Sequence, residues 1–115
     1  MRRLLLAILL TLATPAMAAN IQAKDAAQHV GETATVVGVL SDVHKPDSGK
    51  LIQWEIGGAY PNNLLSAVIF KHDMGKFPDM TPMVGKTLAI TGKIEMYHDK
   101  PEIVLKDITQ VQIAQ

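Results

Sequence analysis

Aromatic, histidine and lysine side chains recur in short stretches of this 115-residue sequence. Near its end, Tyr97 and His98 are followed by Lys100. The earlier stretches contribute His44, Lys50, Trp54 and Tyr60. Exposed rings can stack on the bases of a single-stranded nucleic acid, and cations can contact its phosphates. These seven residues are therefore the candidate ligand-binding residues of the chain.

Signatures of catalysis are missing from the same sequence. It has no cysteine, and its only arginines are Arg2 and Arg3. It also lacks a His-Glu-x-x-His motif and a glycine-rich phosphate loop. The only serines are Ser41, Ser48 and Ser66, and no convincing triad can be assembled around them. We predict that the protein is not an enzyme and needs no cofactor.

Four histidines raise the question of a metal site. No pair of them has the spacing of ligands on one helix. His44 and His98 could approach each other across two loops, with Asp99 or Asp73 completing a site. The sequence favours the simpler interpretation, four surface histidines, and we predict no metal site.

The N-terminal residues resemble an export signal. Arg2 and Arg3 precede an apolar run that is too short to cross a bilayer. Ala16 and Ala18 then stand at the positions that a signal peptidase recognises. We predict a signal peptide over residues 1–18, cleavage after Ala18, and a periplasmic protein without a membrane span.

Residues 19–115 are long enough for one small domain. They carry nine lysines and eleven carboxylates, a net charge of −2. Without a disulfide, the hydrophobic core alone must stabilise this domain.

The elements that must position the candidate residues are predicted to be β-strands. Alternating and β-branched segments predict five of them, at 33–43, 51–56, 64–71, 86–97 and 102–113. The pattern of the fifth slips near Lys106 and Asp107, which indicates a bulge or two short strands. A short helix is predicted over 22–30. Pro78 and Pro82 restrict the link between strands three and four to one or two helical turns.

Five strands with a helical connector between the third and fourth are the layout of an OB-fold, an all-β Greek-key barrel. An unrelated five-stranded barrel or sandwich is the alternative. In an OB-fold, strands two and three and two flanking loops form the binding cleft. That layout makes Trp54 and Tyr97 candidate stacking residues, Lys50 and Lys100 polar anchors, and His44 and His98 rim residues. Trp54 nevertheless shares a strand face with two isoleucines, which favours its burial.

The chain also resembles small exported bacterial OB-fold domains of the nucleic-acid-binding, tRNA-anticodon-binding-like type. The resemblance spans residues 30–112. It is carried by Gly31, Gly38, Tyr60-Pro61-Asn62, Ile69-Phe70, Gly85-Lys86, Thr91-Gly92, Tyr97, Pro101-Glu102-Ile103 and Asp107. It implies that the cleft binds nucleic acid. Asp99 departs from the glycine expected in the hairpin, but aspartate tolerates a left-handed backbone, so the turn is predicted to survive.

Two ligand classes stay open on these grounds. The net charge of −2 and the absence of arginine beyond Arg3 oppose nucleic-acid binding, since phosphate contacts depend on cations. A protein, peptide or glycan partner suits a mixed-charge cleft, and Asn62 and Asn63 beside Tyr60 would be suitable contacts.

Overall fold

The computed structural model describes residues 20–114, and the predicted signal peptide lies outside them. Seven strands are present in this range: β1 (Asn20–Gln22), β2 (Thr33–His44), β3 (Leu51–Ile56), β4 (Leu65–Phe70), β5 (Thr87–Tyr97), β6 (Lys100–Val104) and β7 (Val111–Ile113). Four short 3₁₀ helices lie between them, at Ala23–His29, Lys71–Lys76, Thr81–Met83 and Ile108–Gln110. None of the helices in residues 20–114 has the length and apolarity to cross a membrane.

Five of the strands form a closed ring. β2, β3 and β4 are an antiparallel meander, β4 pairs in parallel with β6, and β6 pairs with β5. Antiparallel pairing of β5 with the first half of β2 closes the barrel. The connector with its two 3₁₀ helices leads from β4 to β5. This is the predicted all-β OB-fold, and the prediction is confirmed.

The barrel interior follows from strand alternation. In β3, Trp54 and Ile56 point inward and are almost fully buried. Two glycines allow strands to approach closely. A Cβ atom on Gly38 would lie 2.5 Å from Cγ2 of Ile56, and one on Gly92 would lie 2.6 Å from Cγ2 of Ile103. Glycine is therefore required at these positions by packing, because any side chain would overlap the core.

The last third of the chain refines the prediction. The fifth predicted strand is two short strands, β6 and β7, separated by a 3₁₀ turn whose first backbone N–H groups are capped by Asp107. The hairpin before it has a tip of two residues, since Tyr97 pairs with Lys100. β1 was not predicted, because a three-residue strand carries too little pattern to recognise.

Candidate functional site

A cleft of about 440 Å³ opens on the outer surface of the barrel, between the β2–β3 and β5–β6 connections. Five predicted site residues line it: His44, Tyr60, Tyr97, His98 and Lys100. The strands place them there. His44 is the last residue of β2, and the other side of the cleft is the β5–β6 hairpin.

Aromatic rings form two opposite walls of the cleft. The ring of His44 stacks on that of Tyr60, with centroids 4.3 Å apart and planes 7° from parallel. The ring of Tyr97 meets that of His98 edge to face at 4.1 Å. Tyr60 is 54% exposed and Tyr97 is 59% exposed. Both tyrosines therefore keep surface free for a ligand.

The hairpin tip holds His98 at the rim through an uncommon backbone conformation. His98 has φ 49° and Asp99 has φ 62°. Positive φ at both central residues is the geometry of a two-residue type I′ hairpin. Asp99 thus adopts the left-handed conformation that the sequence predicts in place of glycine.

Residues 57–63, the roof loop, fold from the end of β3 over the outer face of the sheet. Lys100 holds this loop in place. Its Nζ donates to the main-chain oxygens of Pro61 at 2.5 Å and of Asn63 at 2.9 Å, and to Oδ1 of Asn63 at 3.3 Å. The ammonium is therefore already engaged by protein oxygens, so Lys100 is an anchor for the loop rather than for a phosphate.

Beneath the roof loop, the outer face carries a transverse row of four carboxylates and one serine, the acidic row. Strand register aligns five residues from β2 to β5, in the order Asp42, Glu55, Ser66, Glu102 and Glu95. Ser66 and Glu102 line the cleft. The floor of the cleft is thus acidic, which repels phosphate and attracts hydrogen-bond donors.

Glu55 is the most deeply placed member of this row, with 0% exposure. Its Oε1 accepts a 2.6 Å hydrogen bond from Ser66, whose hydroxyl oxygen accepts one from Asn63. Oε2 has no hydrogen-bond partner among residues 20–114. Burial raises the pKa of Glu55, and Asp42 adds to the rise, against the opposing effect of the Ser66 hydrogen bond.

Glu102 is half-buried, and its carboxylate makes no side-chain hydrogen bond within residues 20–114. Burial raises its pKa, and the neighbouring charge of Glu95 raises it further. Sequence reasoning missed this residue as a site residue, although the resemblance already included it in Pro101-Glu102-Ile103. The signal that would have found it is strand parity, which puts it on the same face as Lys100.

Two predicted site residues lie elsewhere. The prediction that Trp54 stacks on a ligand is wrong, because the side chain is 1% exposed and packs edge to face on Phe77 in the core. Lys50 is exposed at the start of β3 but does not line the cleft. As for metals, residues 20–114 contain no group of three or more His, Asp or Glu placed to hold an ion. His44 and His98 share the cleft, whereas Asp73 pairs with His72 and Lys76.

Comparison with known proteins gives similarity in structure alone. No family model matches the sequence, and no curated protein matches it. A putative aspartyl-tRNA synthetase from Leishmania major superposes with a TM-score of 0.55 and 14% identity, over 95% of this chain and 23% of that one. An asparaginyl-tRNA synthetase from Entamoeba histolytica gives 0.50 and 22%, over 88% and 24%. The Stn1–Ten1 complex of S. pombe gives 0.47 and 14%, over 88% and 80%.

The chain spans about a quarter of the length of the two synthetases that it matches. At these identities the similarity establishes the fold. It does not by itself transfer an activity or a substrate to this chain.

Proposed function

We propose that this domain binds a single-stranded nucleic acid in the cleft between the roof loop and the β5–β6 hairpin. One observation carries the proposal: exposed tyrosines stand on both sides of a cleft on the OB-fold barrel surface. Stacking of bases on aromatic rings is the sequence-tolerant part of single-strand recognition. OB-fold segments of proteins named as tRNA synthetases are consistent with it.

The charges indicate how a strand would lie. The acidic floor suits bases, which carry hydrogen-bond donors, and disfavours phosphates. Lys45 and Lys50 are exposed in the β2–β3 loop, whose Pro46 lines the cleft, and we assign them the contacts to the strand's phosphates. With only these and a net charge of −2, we expect moderate affinity that weakens with salt.

The proposal extends to the setting of the protein. The signal-like residues 1–18 support export and a periplasmic location. The lack of recognisable catalytic motifs in the sequence supports a non-enzymatic binding module.

Fluorescence anisotropy of labelled 12-nucleotide DNA and RNA against residues 19–115 tests the proposal, at about 20 mM and about 150 mM salt. Replacing Tyr60 or Tyr97 by Ala should weaken binding about tenfold at both salts, because one stacked base contributes about 1–3 kcal/mol. Lys45→Glu and Lys50→Glu should weaken binding most at low salt. Lys86→Glu is the matched control, since Lys86 is exposed at the opposite end of β5 from the hairpin.

A second candidate is a periplasmic protein, peptide or glycan partner. The observation that favours it is the engagement of Lys100 by the roof loop, which leaves the cleft walls and floor without a free lysine. Flat titrations at both salts would refute nucleic-acid binding and leave this candidate, to be sought by pull-down.

A further inference from the structure

The floor of the cleft, between the two aromatic walls, holds two polar side chains that make no hydrogen bond with the described part of the protein. Gln53 and Glu102 both line the cavity, and within residues 20–114 neither side chain makes a hydrogen bond. Their neighbours differ in this respect, because Asn63, Ser66 and Lys100 are all hydrogen-bonded to protein. Convergent polar groups in a cavity lined by rings are what orients a small ligand. On the floor, between the aromatic walls, Gln53 and Glu102 are therefore the side chains left to contact a ligand.

The carboxylate of Glu102 sets the chemistry of that ligand. An ionised carboxylate only accepts hydrogen bonds, and its two oxygens suit a pair of parallel N–H donors, as arginine provides. Lys100, the nearby cation, donates to the roof loop. A ligand with two adjacent donors would satisfy both oxygens of Glu102 at once.

The nucleic-acid bases differ in how many adjacent hydrogen-bond donors their Watson–Crick edges present. Guanine presents N1–H and N2–H side by side. Adenine and cytosine present one amino group beside an acceptor nitrogen, which would face the second carboxylate oxygen. Thymine and uracil present one N–H between two carbonyl oxygens, which the carboxylate repels. Single-stranded bases are read on this edge while their faces stack on aromatic rings.

We propose that the cleft selects guanine, with the N1–H and N2–H groups of the base donating to the carboxylate of Glu102 and the ring packing against the tyrosine walls. Gln53, the other floor side chain without a hydrogen bond in the described residues, completes the recognition of the base. This inference rests on the proposed single-strand binding and names its base preference.

The test uses labelled thymidine 8-mers in which one central residue is replaced by guanine, hypoxanthine, adenine or cytosine. A single guanine prevents the strand from folding on itself. Guanine should raise the affinity about tenfold over the all-thymine strand, the size expected of a bidentate base contact. Hypoxanthine keeps N1–H and lacks the N2 amino group, so it should lose most of this gain.

Variants of the protein test whether Glu102 is the source of the guanine preference. Glu102→Gln should remove the guanine preference, while the all-thymine strand binds at least as tightly as to the parent, because the repelling charge is gone. Glu32→Gln is the matched control, because Glu32 is an exposed glutamate that does not line the cavity. A thermal melt checks that each variant folds, and the hypoxanthine comparison needs no variant at all.

The outcomes separate the two proposals. Equal affinity for all five strands would overturn guanine selection and leave single-strand binding standing. Guanine and hypoxanthine binding alike would also overturn it, because the N2 amino group would then make no contact. No binding of any strand would overturn both proposals.

Discussion

The buried carboxylate of Glu55 lowers the stability of the fold, yet its hydrogen bond positions a residue of the cleft. Its carboxylate lies under the roof loop with one oxygen bonded to Ser66 and the other without a partner in residues 20–114. Burial of such a group without a paired cation is unfavourable when the group is charged. The residue nevertheless positions Ser66 on the floor of the cleft.

The free energy of unfolding should depend on pH because the Glu55 carboxylate is buried. Because the pKa of Glu55 is raised in the folded protein, the unfolded chain releases its proton first as pH rises. The contribution of Glu55 to stability is therefore fully present below the unfolded pKa and is lost as pH rises through the folded pKa. Glu55→Gln, which keeps an acceptor for Ser66, should become more stable than the parent as pH rises from about 4 to about 8.

Urea unfolding of parent and variant at each pH measures that difference, in which the contributions of carboxyls that do not interact with Glu55 cancel. A difference that stays constant across the pH range would show that Glu55 ionises with the same pKa in both states.

At the scale of elements, Gln110 joins the last strands of the barrel. Its Oε1 accepts from the backbone N–H groups of Lys106 and Asp107, and its Nε2 donates to the carbonyl oxygens of Thr91 and Val104. One side chain thus connects β5, the end of β6 and the turn that follows. The slip in alternation at this point of the sequence is the consequence of that turn.

Gln110→Ala should lower the free energy of unfolding by about 2–3 kcal/mol, since it removes four hydrogen bonds of about 1 kcal/mol or less each. Gln112→Ala is the control, because Gln112 is exposed in β7. Chemical unfolding measures both. A loss as small as that of the control would mean that water replaces these bonds at no cost.

Strand β5 approaches β6 closely at Gly92, and this packing predicts the effect of adding a side chain there. Gly92→Ala should destabilise the protein by about 1–3 kcal/mol, because the new methyl group overlaps the buried Ile103 side chain. Gly75→Ala should be neutral, since nothing lies within 4 Å of a Cβ atom there. Thermal melts of the two variants compare them directly, and equal melting temperatures would contradict the packing argument.

The whole barrel should unfold as one unit, because a small domain with a single core usually does. Trp54, the single tryptophan, lies inside the barrel and reports on that core. Its emission should be blue-shifted in the folded protein. The urea transitions followed by this emission and by far-ultraviolet circular dichroism should coincide. A tryptophan transition at lower urea would mean that the core loosens before the sheet.

Strand order, the connector and five of the residues that line the cleft could be predicted from the sequence, because alternation and turn residues act locally. What could not be predicted depends on contacts distant in sequence. Lys100 has the chemistry of a phosphate ligand, and only the path of the roof loop shows that its ammonium is occupied. The acidic row is equally hidden, since its members come from five strands and meet only through register.

The hydrogen bonds of Lys100 have a consequence for how such domains can diversify. Two of its three acceptors are main-chain oxygens, those of Pro61 and Asn63. Main-chain oxygens persist whatever the side chains are, so the sequence of the roof loop can change without releasing the loop. The side chains of the roof loop, which would contact a ligand, can therefore vary without changing how the loop is held on the barrel. In a library randomised at Tyr60 and Asn62, we expect most members to fold, with ligand preference as the property that varies.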